Sequence, residues 1–210
     1  MTVMRQVPYE PGSTKTLDLA LFVNGIPVAT AELKTPLTNQ TFRDAIEQYR
    51  TDRNPKAPLL RRAVVHFAVD TEQAFMTTKL AGDKTTFLPF NRGDNQGAGN
   101  PARDGYRTGY LWEDVWQRDA WLDLLARFIH TDTDSGVTIF PRFHQWDAVL
   151  RLVADAREHG AGQSYLVQHS AGSESPTRSP GSPTVCRRCT PGTTAAAARR
   201  WTNQCSTRWS

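Results

Sequence analysis

Two carboxylates and a lysine lie in one apolar segment, Leu17–Lys34 (LDLALFVNGIPVATAELK), where they could support hydrolysis of a phosphodiester. Asp18 and Glu32 supply oxygen ligands of the kind that Mg²⁺ prefers, and Lys34 supplies a cation. Phosphodiester cleavage needs a divalent cation beside the phosphate and positive charge against the negative charge that develops. Glu32 and Lys34 are two residues apart, so they project from one face of a predicted strand. These residue types therefore predict a metal-dependent nuclease site.

The register of a predicted β-hairpin decides whether the two carboxylates meet. Asn24-Gly25 is a strong turn signal, but a plain two-residue loop would place Asp18 opposite Ala31 and turn Glu32 to the other face. For Asp18 to lie opposite Glu32, we predict a three-residue loop, Asn24-Gly25-Ile26, or an equivalent β-bulge.

The Glu-x-Lys triplet also has a simpler interpretation, because on a strand it is commonly a solvated edge or a cross-strand ion pair. In this segment, however, alternating leucines run through the first strand and the other neighbours are mostly apolar, which predicts burial on both faces. A buried carboxylate is costly unless a cation or hydrogen-bond donors compensate it. We therefore favour a metal site with Asp18 and Glu32 as its ligands.

The pattern of the remaining sequence predicts an α/β fold, a mixed sheet flanked by helices. The predicted strands are Val3–Tyr9, Leu17–Val23, Pro27–Lys34, Arg62–Asp70, Ala74–Leu80 and an edge strand Thr86–Phe90. The predicted helical regions are Thr41–Asp52, Tyr110–His130 and a helix that the segment Phe140–Trp146 opens and that runs to about His159. Irregular segments are predicted over Asn91–Thr108 and Thr131–Gly136, and a short buried strand over Tyr165–His169.

Composition changes abruptly at about residue 173. From Glu174 onward the sequence contains no Leu, Ile, Phe, Met or Tyr, so this tail cannot bury a core and is predicted to be disordered. The tail also carries six arginines against one glutamate, so the net charge of +4 does not indicate nucleic-acid binding by the rest of the chain. DNA contact would depend instead on a local basic cluster: Arg50, Arg53, Lys56, Arg61 and Arg62.

All three cysteines, Cys186, Cys189 and Cys205, lie in the same tail. The first two have zinc-ligand spacing, but no second pair and no histidine follow, so we predict no zinc site. A globular part without cysteine is typical of a cytoplasmic protein, and no apolar run has the length of a membrane span. We expect a cytoplasmic protein without membrane contact.

Several segments together resemble the R subunit of type I restriction enzymes, the chain that carries a DNA-cleaving nuclease and an ATP-driven motor. The resemblance runs from about Met4 to Ser173 and is carried by LDLALFVNGIPVATAELKTPL, DAIEQYR, VHFAVDTEQAFMTTKLAG, FLPFN, GYLWEDVWQRDAWLDLLARFIH and FPRFHQWDAV. It implies a PD-(D/E)xK restriction-endonuclease-like fold, in which Asp18 and Glu32 bind Mg²⁺ and Lys34 assists the attacking water.

The resemblance also implies a supporting role for a Q-x-x-x-Y element on the helix after the hairpin. Gln48 matches its glutamine, but Asp52 stands where the tyrosine would be, so the catalytic supporting role carries over to Gln48 alone. A solvent-facing helical glutamine is the alternative interpretation.

Phe140 to Gln145 resembles the adenine-recognition element of RecA-like helicase motors, in which Gln145 would read the adenine of ATP. An ordinary N-terminal turn of a helix is the alternative interpretation. After YLVQHSAGS the family continues into a phosphate-binding G-x-G-K-[ST] loop, whereas this chain continues as Ser173-Glu174-Ser175-Pro176. Loss of the lysine removes the contact to the β- and γ-phosphates. One permitted set of codons for Ser173–Gly181 encodes Ser-Gly-Lys-Ser-His-Thr-Ile-Ala-Trp after insertion of a single G, so we hypothesise a frameshifted tail.

Four regions follow from these observations: an N-terminally incomplete nuclease domain over residues 1–108, a helical linker over 109–135, the start of a truncated motor over 136–173, and the tail over 174–210.

The expected function is that of an R-subunit fragment that cleaves double-stranded DNA with Mg²⁺. In the intact enzyme cleavage would be ATP-dependent and would involve modification and specificity subunits, whereas motor function is expected to be lost here. The alternative is a non-catalytic remnant, or a DNA-binding or assembly module of the restriction complex. A stand-alone nuclease is disfavoured, because residues 112–130 and 140–149 match the motor-linked chain.

Overall fold

A six-stranded mixed sheet organises the first part of the chain, which confirms the predicted α/β class. Its strands are β1 Thr2–Pro8, β2 Thr16–Val23, β3 Ile26–Leu33, β4 Val65–Val69, β5 Ala74–Thr77 and β6 Leu88–Pro89. They lie side by side in sequential order; β3 and β4 are parallel, and every other neighbouring pair is antiparallel. The parallel pair requires a crossover, and the helices between β3 and β4 provide it.

The computed structural model describes residues 1–94, 97–133, 136–160, 162 and 164–167. Two compact units divide the chain, Met1–His144 and Gln145–Ser210. The predicted disordered tail, its cysteines and the expected loss of the phosphate loop lie outside the described residues. The four predicted regions and the RecA-like motor stay predictions.

The hairpin between β2 and β3 closes with a two-residue turn, so the predicted three-residue loop is wrong and its stated alternative, a bulge, is confirmed. Val23 pairs with Ile26, and the turn residues Asn24 and Gly25 both have positive φ, 49° and 79°. This left-handed geometry matches the twist of the strands and is typical of Asn-Gly hairpins. The register then shifts between Leu21 and Phe22, which inserts one extra residue into β3.

The crossover contains two short helices, α1 Phe42–Glu47 and α2 Pro58–Arg62. Thr41 begins α1 with a capping box, because its side chain accepts from the helix and the Asp44 carboxylate accepts from the Thr41 N–H. The predicted helix Thr41–Asp52 is α-helical only in its first part, since Gln48–Asp52 forms a wider π-helical turn.

Three strands are shorter than the sequence pattern predicted, and one of them is the edge strand predicted over Thr86–Phe90, which is reduced to Leu88–Pro89. Arg62 belongs to α2 because Pro58 begins a helical turn there, so β4 starts at Val65. The strand predicted over Ala74–Leu80 ends at Thr77, where its pairing with β4 ends. In the predicted irregular segment Asn91–Thr108, the described residues form no β-strand, and a 3₁₀ turn begins at Arg107.

Packed layers cover both faces of the sheet. Neighbouring residues of β4 point to opposite faces, so His66 and Phe67 belong to different layers. On one face the Tyr49 ring lies 5.7 Å from the His66 imidazole. On the other face an aromatic cluster surrounds Phe67, with ring centroids 5.4–6.4 Å away: Phe90, Trp116, Trp121 and Phe140. The two tryptophans belong to the predicted helical linker, so that segment packs against the sheet.

After the sheet the chain forms α3 Arg118–Arg127, a small hairpin of β7 His130–Thr131 and β8 Thr138–Ile139, and α4 Phe143–His159. A π-helical turn at Leu111–Val115 and α3 account for most of the predicted helical region Tyr110–His130. The buried strand predicted over Tyr165–His169 is wrong where the structure describes it, since residues 165–167 are irregular and Leu166 is 78% exposed. Apolar character alone is therefore not enough to form a strand there. None of the helices in the described ranges is long and apolar enough to cross a membrane.

Candidate active site

The bulged hairpin sets Asp18 on β2 opposite Glu32 on β3. Leu19 pairs with Ala31, and the same register continued by one step joins the two acidic residues. Glu32 is fully buried and Asp18 is half-buried. The Leu33 N–H donates to Asp18 Oδ2 at 2.8 Å, which fixes this carboxylate beside the end of β3.

Glu32 forms a buried ion pair with Arg53, which follows the π-helical turn. Arg53 Nε donates to Glu32 Oε1 at 2.7 Å, while the other guanidinium nitrogens donate to Asp52 Oδ2 and to the Thr16 carbonyl, each at 2.9 Å. Glu32 Oε2 is buried and has no hydrogen-bond partner among the described residues. One oxygen of the carboxylate is therefore satisfied and the other is available.

Burial raises the pKa of Glu32 to about 7. Charged carboxylates are poorly solvated there, and the hydrogen bond and charge of Arg53 oppose this effect only in part. The charge of the neighbouring Asp18 raises the pKa of Glu32 further. Glu32 thus changes protonation near neutral pH.

Lys34 lies one residue beyond β3 and is half-buried. Its N–H donates to the Val69 carbonyl at 2.8 Å, which extends the contact with β4 past the last strand residue. Its ammonium forms no ion pair with Glu32 within 4 Å, but its positive charge acts on the Asp44 carboxylate. The pKa of Asp44 is lowered first by the Thr41 backbone hydrogen bond and least by Lys34. The catalytic role of Lys34 stays a prediction.

Gln48 opens the π-helical turn and is half-buried. Its Oε1 is buried and accepts no hydrogen bond from the described residues, so this side chain does not simply face solvent. Asp52, at the position of the family tyrosine, forms ion pairs with Arg53 and Lys15. The supporting role of Gln48 stays a prediction.

A buried polar network beside the carboxylates escaped the sequence reasoning. Thr30 Oγ1 lies 2.8 Å from the Tyr49 hydroxyl and 2.7 Å from His66 Nδ1. Burial lowers the pKa of His66 to about 3, so the imidazole is neutral and shares one hydrogen bond with Thr30. Thr30 precedes Glu32 by two residues, and this spacing was the available signal that both face the same layer.

The basic cluster predicted to contact DNA separates into buried and exposed members. Arg53 is 4% exposed and fully engaged, so its predicted DNA contact is wrong: its charge compensates Glu32 inside the protein. Arg50 is half-buried and donates through two nitrogens to the Thr85 carbonyl. Lys56, Arg61 and Arg62 are exposed.

The two predicted metal ligands are compatible with Mg²⁺. The described residues contain no group of three or more His, Cys, Asp or Glu side chains placed to hold a metal ion. Mg²⁺, however, keeps several water ligands and commonly uses one or two carboxylates. The unpartnered Oε2 of Glu32 beside Asp18 is the kind of hard oxygen donor that such a cation takes.

Gln145, the predicted adenine contact, lies in α4 within the second unit, and its role stays a prediction.

The strands that carry these carboxylates lie in a part of the chain that is similar to known proteins. Residues 1–85 match the family model of the type I restriction enzyme R protein N terminus. This range contains Asp18, Glu32, Lys34, Gln48 and Arg53, and the resemblance predicted from the sequence is confirmed over it.

Two relatives from one organism also match this chain, one over a short segment and one over most of the chain at lower identity. One relative is a Methanocaldococcus jannaschii protein named as the MjaIXP endonuclease subunit of a type I restriction enzyme. It is 46% identical to this chain over 43 residues, which cover 20% of this chain and 4% of the relative. Over 174 residues the identity is 28% with the same organism's protein named as the MjaVIIIP endonuclease subunit. That alignment covers 74% of this chain and 15% of the relative, so the chain spans a small part of the proteins it matches.

Proposed function

We propose that this chain provides the nuclease of a type I restriction enzyme R subunit and cleaves phosphodiester bonds of double-stranded DNA with Mg²⁺. The main support is the pairing of Asp18 with a buried Glu32 whose Oε2 has no partner among the described residues. A buried oxygen left without a donor is costly, and a divalent cation would remove that cost.

Each residue has a distinct task in this proposal. Asp18 and Glu32 would hold the cation, which when bound supplies charge neutralisation at the phosphate and a more acidic water. Lys34 would add positive charge where the leaving oxygen becomes negative. Gln48, with its buried Oε1, would help to orient these groups from the π-helical turn. The Leu33 N–H keeps Asp18 in place through Oδ2.

The wider enzyme supplies the rest of the proposal. In the intact R subunit, cleavage would depend on ATP bound by a motor to which Gln145 belongs, and on modification and specificity subunits. This chain would lack motor function, because the phosphate loop is replaced from Ser173 onward.

A non-catalytic DNA-binding or assembly module is the competing function. The Arg53 ion pair favours it, because Arg53 already compensates part of the Glu32 charge without any metal. A catalytic site and a structural ion pair differ in their response to a cation, so the two functions can be separated by experiment.

The test is nicking of supercoiled plasmid DNA by the full chain in Mg²⁺, with Asp18→Asn and Lys34→Ala as variants. Asp18→Asn keeps an acceptor for the Leu33 N–H and removes the charge that a cation needs. Asp83→Asn and Lys84→Ala are matched controls, since both residues are exposed. Nicking that disappears in both site variants and persists in both controls supports the nuclease; a wild-type chain that does not nick supports the module.

A further inference from the structure

We propose that Arg53 is a positioning residue for the cation site: it holds Oε1 of Glu32 and thereby presents Oε2 as the oxygen that meets a divalent cation. This inference rests on the proposed function, because it needs Asp18 and Glu32 to be cation ligands.

The contacts of Arg53 determine its orientation almost completely. Its Nε, Nη1 and Nη2 each donate to a different segment: to Glu32 on β3, to Asp52 at the end of the π-helical turn and to the Thr16 carbonyl on β2. The guanidinium carbon lies 5.2 Å from the centroid of the Tyr9 ring. A planar group held on three edges and one face has little freedom to turn, so it transmits its geometry to Glu32.

The same contacts leave an asymmetric carboxylate. Arg53 reaches Glu32 through one nitrogen and one oxygen, because Nη1 and Nη2 are used elsewhere. A bidentate pair would have covered both oxygens of the carboxylate. Glu32 Oε2 is left buried without a hydrogen-bond partner among the described residues, next to the strand that carries Asp18. A monodentate clamp of this kind orients a metal ligand and does not compete for its second oxygen.

Arg50 offers a matched comparison within the same segment. It also donates through two guanidinium nitrogens, at 3.1 and 2.9 Å, but both go to the backbone carbonyl of Thr85. Arg50 therefore stabilises the fold as Arg53 does, without touching a carboxylate. Substitution of both arginines separates a loss of packing from a loss of ligand orientation.

The experiment measures Mn²⁺ and Mg²⁺ binding to the full chain by titration calorimetry, in wild type and in Arg53→Lys, Arg53→Met and Arg50→Met. Thermal unfolding without metal is recorded for each variant. We expect Arg53→Met to weaken Mn²⁺ binding about tenfold or more, and Arg53→Lys to restore part of it, because groups that orient a metal ligand typically have effects of this size. Arg50→Met should lower the unfolding temperature and leave the affinity unchanged. If Arg53→Met does not fold, the contrast between Arg53→Lys and Arg50→Met decides the question.

Unchanged or tighter Mn²⁺ binding in both Arg53 variants would overturn the inference, since Arg53 would then be a bystander or a competitor of the cation. An equal loss of affinity in Arg50→Met would overturn it as well, by making the effect one of general stability. Failure of the proposed function has a different signature: the wild-type chain binds neither metal, or Asp18→Asn binds as tightly as wild type.

Discussion

Glu32 and Arg53 form an ion pair that is closed to solvent, with 2.7 Å between Glu32 Oε1 and Arg53 Nε. Their side chains are 0% and 3% exposed. Removing two charges from water is costly, and the cost is recovered only when the remaining donors are also satisfied. Arg53 meets that condition through Asp52 and the Thr16 carbonyl, whereas Glu32 keeps one oxygen unsatisfied among the described residues. The unsatisfied hydrogen-bonding capacity of the pair therefore belongs to the Glu32 carboxylate.

Breaking this pair should be destabilising, most of all when Arg53 is removed. Arg53→Met leaves the buried Glu32 without its cation, at a cost of about 3–5 kcal/mol in the free energy of unfolding, whereas Glu32→Leu should cost less because Arg53 keeps its ion pair with Asp52. The double variant should lose much less than the sum of the single variants, because no unpaired charge remains. Urea unfolding of all four proteins gives the coupling energy.

The pair Arg103–Glu113 is the control for that cycle, since its charged atoms are also 2.7 Å apart but its side chains are 34% and 47% exposed. Its coupling energy should be about 1 kcal/mol or less. A comparably small value for Glu32 and Arg53 would contradict a closed ion pair between them.

The pKa of Glu32 predicts how stability changes with pH in the absence of metal. The folded pKa of about 7 lies above the ordinary value of 4.5, so between these values the folded chain holds a proton that the unfolded chain releases. This contribution is fully present below pH 4.5 and is lost as the pH rises to about 7, with a size of about 3 kcal/mol.

Unfolding free energies measured from pH 4.5 to 8 in wild type and Glu32→Gln test this dependence. The decline should be smaller in Glu32→Gln by the contribution of that carboxyl group. It should persist in Glu47→Gln, which alters an exposed residue and keeps Glu32. Identical pH profiles for wild type and Glu32→Gln would show that the buried carboxyl does not titrate in this range.

The hydrogen bonds of Thr30 predict a large effect for a change of similar volume. Thr30→Val leaves both the Tyr49 hydroxyl and His66 Nδ1 without their shared partner in a buried layer, and each unsatisfied group costs about 1–3 kcal/mol. Tyr49→Phe should cost less, since it removes one of the two groups. Denaturant unfolding measures both, and a Thr30→Val value within about 0.5 kcal/mol of wild type would count against the network.

The hairpin could be anticipated from the sequence because its signals are local. Asn24-Gly25 determines the turn, and the pairing of Asp18 with Glu32 requires an irregular register, which the bulge provides. The choice between a longer loop and a bulge was not predictable, because it depends on how Phe22 and the turn fit the twisted sheet. The helix start at Thr41 likewise follows from a local pattern.

Arg53 could not be anticipated in the same way. It is 21 residues from Glu32 in sequence and follows a π-helical turn, so no strand or α-helix period relates the two. Composition alone groups Arg53 with its basic neighbours and predicts a contact with DNA. Only the tertiary fold shows that the π-helical turn ends where this side chain can enter the site.

The exposed basic residues Arg61 and Arg62 at the end of α2 give a prediction for DNA binding. If they contact phosphates, Arg61→Ala with Arg62→Ala should weaken binding of duplex DNA regardless of its sequence. The slope of log affinity against log salt should fall in magnitude by about 0.9 for each phosphate that is no longer neutralised. Arg53→Lys should leave the salt slope unchanged, because Arg53 is buried. Fluorescence anisotropy at several salt concentrations measures both, and an unaltered slope in the double variant would place the DNA elsewhere.

The turn at Asn24-Gly25 and the register of the carboxylates should respond differently to mutation. Gly25 has φ of +79° and open space where a Cβ would lie, so Gly25→Ala should cost about 1 kcal/mol through backbone strain alone. Asn24→Gly is the control and should be nearly neutral, because glycine adopts positive φ readily. Mn²⁺ affinity should match wild type in both variants, since the register shift between Leu21 and Phe22 lies outside the turn. Calorimetry alongside thermal unfolding measures both quantities, and a Gly25→Ala chain that keeps its stability but loses Mn²⁺ binding would show that the turn sets the pairing of Asp18 with Glu32.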